Sequence, residues 1–485
     1  ERRKIPILVN GIEVSTSQHF YAKNNFQINY KPDSKLLSRT VFITNNQLDV
    51  LMEEINYLKN YAYGCNEQNA SKIRALLAEK SIKKALDLPF ENEKTLKTII
   101  SKLEKTQNND GSWGWWNQGD QTETWMTIYI ADALNLAIKA GYSSSSIYKA
   151  LNYLEASLNT MNVSERLYAI DILCNFKSPV TYKNYVLKAE KMNLNFTDKF
   201  RLISIKQKSK LPYSISEIIQ SSNKDKYGVY WGENIMSFKI NIVQTSSLAY
   251  NILKAEPTNH TVMLEETRNY FLSHLSKNRN TIERAVLLQD ITDDIISNNN
   301  IKSEIRSELK INGKVMGQEF PMYLDFKNTD GIYIEKTGAP LQISVYETSI
   351  QNPDKKTDTL FSINAVFRKG TDTISSVKLG ENFQHYGNFF VKKNAEFAML
   401  EIPIPAGAVY INKFKSKLPY ETERQYQNDK VVIFFRNLPY GNYYFNIDLQ
   451  SRFAGQFNVI PTKISLMYFP DVFSFSDAEI FKIIK

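Results

Sequence analysis

The sequence predicts a multidomain α and β protein: a domain of helical hairpins set between two groups of strands, then a separate β-sandwich. Three observations carry this. Residues 1–46 alternate apolar and polar positions, as strands do. From Gln47 to about Ser297 the apolar period becomes that of amphipathic helices. After about residue 300 alternation returns. A chain of 485 residues can hold about three domains at roughly 150 residues each.

The opening strands read KIPILVNGIEV, with a turn at Asn10-Gly11, then HFYAKNNFQINY and LLSRTVFIT. They are too few for a closed β-domain, so they are expected to pair with strands much later in the chain. About eleven amphipathic segments follow, the first at 47–60 and the last at 281–297, with no strand among them. Helical hairpins in such a run wind into a ring or solenoid. SELKINGKVM, with a second turn signal at Asn312-Gly313, then FPMYLDF, GIYIEKT and PLQISVYET read as strands. Residues 349–358, QNPDKKTDTL, read as a polar linker. Turn residues about every 8–12 positions then predict a sandwich of about seven strands. The expected divisions are 1–46, the first part of a β-domain, 47–300, the helical domain, 301–352, the remainder of the interrupted β-domain, and 353–485, the terminal sandwich.

A net charge of +9 is scattered over the chain without a block of Lys and Arg. That excludes a nucleic-acid stripe, though a basic surface favours acidic partners or an anionic membrane surface. Two cysteines exclude a disulfide-dense scaffold and a cysteine zinc site. Cys174 shares a helical face with Leu167, Ile170 and Leu173, a core position. A Cys65–Cys174 disulfide stays open as an alternative. No window of about 18 apolar residues is present to span a membrane. No signal peptide and no initiator Met precede Glu1-Arg2-Arg3-Lys4, so the chain reads as a piece of something longer.

The chemistry concentrates in Tyr61-Ala62-Tyr63-Gly64-Cys65-Asn66-Glu67-Gln68-Asn69, just where a helical pattern begins. Gly64 permits a tight turn before Cys65. Free N–H groups at a helix start can hold a carbonyl oxygen or developing negative charge. Cys65 sulfur and the Gln68 carbonyl are thus expected close together, with Gly64 and Glu67 supporting. This is how an internal Cys–Gln thioester is written; the other reading is a small buried cysteine at a helix entry. Three of the five tryptophans, Trp113, Trp115 and Trp116, fall in the Gly-rich break NNDGSWGWW, and Trp125 and Met126 open the next helix. Such a loop either covers something or is pinned to the helical body by its rings.

Taken in order, four runs resemble one family. YAYGCNEQN is similar to the thioester run of the α2-macroglobulins, relatives of the complement thioester proteins. DGSWGWW followed by ETWMTIYIADALNLAIKAGY resembles their Gly-aromatic loop and next helix. Pro405-Ala406-Gly407 with Tyr420-Glu421 and Asn428-Asp429-Lys430 resembles their last β-domain, and FAGQFNVIPTKISLMYFPDVFSFS its closing strand. Together these cover nearly the whole chain and resemble the C-terminal third of a bacterial member. The resemblance implies an α/α-toroid thioester domain inserted in a macroglobulin-like β-sandwich, then a second β-sandwich of the receptor-binding type.

It implies, further, a broad-spectrum protease inhibitor and not an enzyme: a single-turnover trap whose Cys65–Gln68 thioester acylates lysine amines after bait cleavage. The bait region is expected N-terminal to residue 1. The implied partners are proteases and the N-terminal macroglobulin domains of the same chain. No cofactor is implied beyond the internal crosslink. The implied place is the periplasm or cell envelope, with a lipid anchor in the N-terminal part. A dry site is required, for which Tyr61, Tyr63, Trp113, Trp115, Trp116, Trp125, Met467 and Tyr468 are the shielding candidates; Tyr468 matches a covering tyrosine of bacterial relatives. Two departures stand out: Ala62 where the family pattern has proline, and Asn66 where a small or aliphatic residue is common. Some complement relatives redirect the acyl group to hydroxyls through a histidine. His19, His260, His274 and His385 do not match its expected position near residue 180, so direct aminolysis is expected.

Two other classes compete. A toroid enzyme would make Asp290-Ile291-Thr292-Asp293-Asp294 a metal motif, against its reading as the solvated start of a helix. A surface scaffold would leave Cys65 inert.

Overall fold

The computed structural model describes residues 12–22, 25–61, 63–176, 179–233, 241–274, 279–298, 307–317, 319–327, 330–351, 358, 360–413, 417–469 and 472–485. The Asn10-Gly11 turn, Ala62 and most of the 349–358 linker lie outside them.

The early strands do pair far downstream. Ile12–Ala22 runs antiparallel to Leu341–Gln351, with Ala22 opposite Leu341. Leu341–Gln351 pairs in turn with Leu36–Thr44, and that strand with Met322–Phe326. A second sheet orders Phe26–Tyr30, Ile332–Gly338, Ser307–Ile311 and Lys314–Val315. Val41, Ile43, Leu309, Ile334 and Ile343 fill the space between the two sheets. Asn312 and Gly313 have φ of 50° and 79°, as a two-residue type I′ hairpin turn requires.

Between the two groups of strands lie α1 (Gln47–Lys59), α2 (Asn66–Ala85), α3 (Glu93–Thr106), α4 (Thr124–Lys139), α5 (Ser146–Ser157) and α6 (Val163–Leu173). They continue as α7 (Lys183–Ala189), α8 (Phe196–Lys208), α9 (Ser216–Gln220), α10 (Ile242–Ala255), α11 (Thr261–His274) and α12 (Thr281–Asn298). Each even-numbered helix from α2 to α12 packs on the next, and α12 returns to α2, so the helices close a ring. Sequence explains the two layers. In α4 every residue from Trp125 to Ala131 is buried, whereas α3 buries only Leu96, Ile100 and Leu103. A helix apolar all round belongs inside, and one with a single apolar stripe belongs outside.

Three expectations need correction. The helical region is not free of strands: Asn223–Lys224 pairs with Val229–Tyr230. The Asp225 carboxylate closes their turn by accepting from the Tyr227 and Gly228 N–H groups at 2.7 and 3.0 Å. Strands of two residues are too short to leave a period in the sequence. Asp290 does not begin a solvated helix. It lies within α12, 5% exposed, facing α10, where Ser247 Oγ and Asn251 Nδ2 donate to it. Finally, among the described residues the terminal β region carries thirteen strands from Phe361 to Ile484 in three sheets, against about seven expected. The extra ones are mainly two- or three-residue strands and turns of the backbone that alternation does not reveal.

The terminal region explains its own docking. Val431, Val432, Ile433, Phe434 and Phe435 of strand Lys430–Leu438 are all buried, so both faces of that strand are covered. Val431, Ile433 and Phe435 fill the terminal core. Val432 and Phe434 pack on Tyr63, at the helical ring.

Candidate functional site

Cys65 caps the N-terminus of α2 with extended backbone, and it is fully buried. Its N–H donates to Gln68 Oε1 at 3.1 Å, while the Glu67 and Gln68 N–H groups face its sulfur. The two side chains are thus folded back on one another within a single turn. The N–H at Oε1 sits where negative charge would develop if sulfur attacked the Gln68 carboxamide carbon. Burial, and then the neighbouring Glu67, push the Cys65 thiol well above its ordinary range. Cys65 and Cys174 are both free, with no disulfide between them; Cys174 is half-buried at the end of α6.

The turn ahead of Cys65 is held from outside. Lys72 Nζ donates to the Tyr61 carbonyl at 2.9 Å, and Lys102 Nζ to the Gly64 carbonyl at 3.0 Å. Asn69 Nδ2 reaches the same Gly64 oxygen at 3.0 Å. Asn66, a departure in sequence, ties the tryptophan loop to the helix start. Its N–H donates to Trp115 O at 2.8 Å and its Nδ2 to Gly114 O at 3.0 Å, while Thr106 Oγ1 donates to its Oδ1 at 2.8 Å. Gly111 turns this loop at φ 94°, where a Cβ would lie 2.3 Å from the Lys149 carbonyl oxygen.

The loop's rings divide in two. Trp113 points into the ring core and anchors the loop, its Nε1 donating to Leu103 O at 2.8 Å. Trp115, Trp125, Phe397 and Tyr468 form one aromatic cluster, with Phe397 centroids 5.1 Å from Trp115 and 5.4 Å from Tyr468. Trp116 packs on Phe434 at 4.8 Å, and Phe434 on Tyr63 at 5.7 Å. Tyr61 lies against Tyr63 at 5.9 Å. The Tyr63 hydroxyl donates to Glu401 Oε1 at 2.9 Å. Met467 lines a gap of about 10 Å³ among Trp115, Trp116, Phe397 and Phe434, no larger than one water. Residues from the terminal strands therefore close over the start of α2.

Phe397, Phe434, Glu401 and Arg436 were invisible to the sequence reading. Phe397 has φ 57°, unusual for a bulky side chain, at a position that has no partner in the otherwise unshifted pairing of Ala395–Pro403 with Lys430–Leu438. This left-handed step sets its ring against Trp115 and Trp125. Arg436 of the same sheet pairs with Glu123, the N-cap of α4, which also accepts from Trp115 Nε1 at 3.1 Å. Glu401 holds Tyr63. None of them stands near Cys65 in sequence, and no short motif marks them.

Glu67 is the most constrained charge of the site. It is fully buried, and its carboxyl accepts from Ser71 Oγ at 2.7 Å, Thr281 Oγ1 at 2.8 Å and the Tyr468 hydroxyl at 3.4 Å. Burial raises its pKa from 4.5 to about 7, and these three hydroxyls hold it from going further. The folded state therefore binds the proton more tightly than the unfolded chain. This contribution is fully present below pH 4.5 and is lost as pH rises through about 7. It amounts to roughly 3 kcal/mol. Glu67→Gln is expected to flatten the fall in stability over that window, measured by urea unfolding at a series of pH values. An unchanged slope would contradict a protonated Glu67.

The comparisons agree with this architecture. The profile of the bacterial α2-macroglobulin MG10 domain matches residues 348–471. An α2-macroglobulin of Thermotoga maritima is 23% identical over 252 residues, 49% of this chain and 14% of that protein. One from Rickettsia conorii is 29% identical over 130 residues, 24% of this chain and 7% of that protein. One from Escherichia coli is 32% identical over 94 residues, 18% of this chain and 6% of that protein. The chain thus spans a small part of the length of these relatives. Among solved structures, native Escherichia coli α2-macroglobulin from domain MG7 to the C-terminus superposes with a TM-score of 0.76 at 14% identity, covering 98% of this chain and 82% of that one. Salmonella α2-macroglobulin reacted with methylamine gives 0.76 at 13% identity, covering 98% of this chain and 34% of that one. The ring of helices set into one β-sandwich and covered by another is their fold, and residues 348–471 match the MG10 domain of the bacterial α2-macroglobulins.

Proposed function

We propose that Cys65 and Gln68 form an internal thioester, and that the protein containing this chain traps proteases by transferring the Gln68 acyl group to their lysines. The observation that carries this is the pairing of Cys65 and Gln68 in one buried helix turn beneath Tyr468. Formation joins Sγ to the Gln68 Cδ and breaks the Cδ–N bond. The carboxamide nitrogen leaves as ammonia with the thiol proton. The Cys65 N–H at Oε1 stabilises the oxygen as charge gathers there.

The thioester is an acyl group on a good leaving thiolate. An amine attacks Cδ, the C–S bond breaks, and the amine proton passes to sulfur. Water would do the same, so the aromatic cover keeps the acyl group for its target. In this reading cleavage of a bait segment moves the terminal strands off α2 and exposes the bond. Capture happens once per chain, so this is a trap and not an enzyme. Its partners are attacking proteases and the other macroglobulin domains of the full-length protein. The expected place of action is the periplasm or cell envelope; among the described residues no helix is long and apolar enough to cross a membrane. The methylamine-reacted Salmonella protein, of the same fold, suits an amine-sensitive bond.

Intact mass decides the matter. The untreated chain is expected one ammonia lighter than its encoded mass, and methylamine is expected to add to it and release one thiol. A full encoded mass with no thiol released by methylamine would refute the thioester and leave a binding scaffold with an inert cysteine.

A further inference from the structure

The helical ring encloses a second feature that the acyl chemistry does not use. A cavity of about 410 Å³ opens where α4, α6, α8, α10 and α12 begin. Trp125, Val163, Thr197, Gln244 and Ile282, each in the first turn of one of these helices, line it. Five helix starts thus turn toward one space, and the partial positive charge of each favours an anion there.

Arg201 supplies the independent observation. It lines the cavity from α8, yet it is only 7% exposed. Its Nε is buried without a hydrogen-bond partner. Among the described residues its cation meets the face of Tyr168, 4.0 Å from the ring centroid, and no carboxylate within ion-pair reach. Two acids, Asp198 and Glu165, also line the cavity, and each is held by neighbouring donors. Asp198 accepts from Asn195 Nδ2 at 2.6 Å and from Ser164 Oγ, and Glu165 accepts from Asn162 Nδ2 at 2.8 Å. A buried guanidinium costs free energy unless an anion answers it. The rest of the wall joins an apolar side of Trp125, Tyr129, Val163, Tyr168 and Ile282 to the neutral polar Asn162, Ser164, Thr197 and Gln244. The volume lies within the range of roughly 300–1,000 Å³ usual for small-molecule sites.

We propose that this cavity binds a small organic anion, with its carboxylate or phosphate on Arg201 and a flat apolar body against Trp125, Tyr129 and Tyr168. The site is distinct from the Cys65–Gln68 turn but touches it from behind. Trp125 packs on Tyr468 at 6.3 Å, and the Tyr129 hydroxyl meets Ser71 Oγ at 2.9 Å, one bond from Glu67.

The test uses 2-naphthoate as the probe and its neutral isostere 2-naphthamide, titrated into the folded chain by calorimetry and by tryptophan fluorescence. Saturable binding of the acid is expected, with the amide weaker by about tenfold or more, the loss expected of one charge-assisted hydrogen bond. Arg201→Met should weaken the acid by a similar factor and leave the amide unchanged. Trp125→Phe should remove most of the fluorescence change. No saturable binding at millimolar acid, or equal affinity for acid and amide, would overturn the proposal. So would an Arg201→Met protein, folded by circular dichroism, that still binds the acid fully. If that variant does not fold, the acid–amide comparison with Trp125→Phe decides. None of these readouts depends on the thioester.

Discussion

Cys65→Ala is expected to abolish amine incorporation and protease conjugation altogether, and Gln68→Ala to do the same. In the proposed thioester the two side chains act as one unit, with sulfur the leaving group and Gln68 Cδ the acyl carbon. The double variant is therefore expected to be no worse than either single one. The fold should survive. Cys65 is fully buried among Ala70, Ile73 and Trp115, but Ala removes only a sulfur atom, at about 1 kcal/mol. Mass spectrometry of each variant should give the full encoded mass, with no ammonia missing. Conjugation that persisted in Cys65→Ala would place the acyl donor elsewhere and sink the assignment. Conjugation that persisted in Gln68→Ala would leave Cys65 as an ordinary thiol.

Phe397→Ala is expected to have the largest effect on the cover. The ring is 7% exposed and bridges Trp115, Trp125 and Tyr468 across the contact between terminal strands and helical ring. Emptying such a site costs about 3–5 kcal/mol. The loss falls on docking, so water should reach the Cys65–Gln68 turn and the ammonia-deficient mass should decay faster in the variant. The backbone sharpens the expectation. At φ 57° Phe397 occupies a conformation that glycine adopts without penalty. Phe397→Gly should therefore be less destabilising than Phe397→Ala, by about 1 kcal/mol, although it removes more side chain. Thermal unfolding of the two variants measures the difference. A glycine variant less stable than the alanine one would show that the surrounding strand does not impose this φ.

Much of the plan was legible in the sequence because periodicity is local. The change from alternation to helical spacing near Gln47, and back near residue 300, marked the insertion of helices between strands. Gly64, Cys65, Glu67 and Gln68 could be read as a unit since they lie within five residues at the start of α2. What failed to show was either too short or too distant. The strand pair at Asn223 and Val229 is too brief for a period. Asp290 looked solvated because charge was weighed without knowing that α10 lies against it. Asn66 looked like a departure; in the fold its amide fastens the tryptophan loop to α2.

By itself, then, the sequence determined the layers, the Cys65–Gln68 turn and the nearby tryptophan loop, for these follow from contacts a few residues apart. Only the tertiary structure decided which groups seal that turn. Tyr468 meets Glu67 across 401 positions of sequence, and Tyr63 meets Glu401 across 338. Phe397 takes a left-handed backbone step against the tryptophans, and five helix starts line one cavity with Arg201. The physical reason is the same in each case. Burial and charge pairing depend on what the fold brings against a side chain, and no local spacing encodes a neighbour hundreds of residues away.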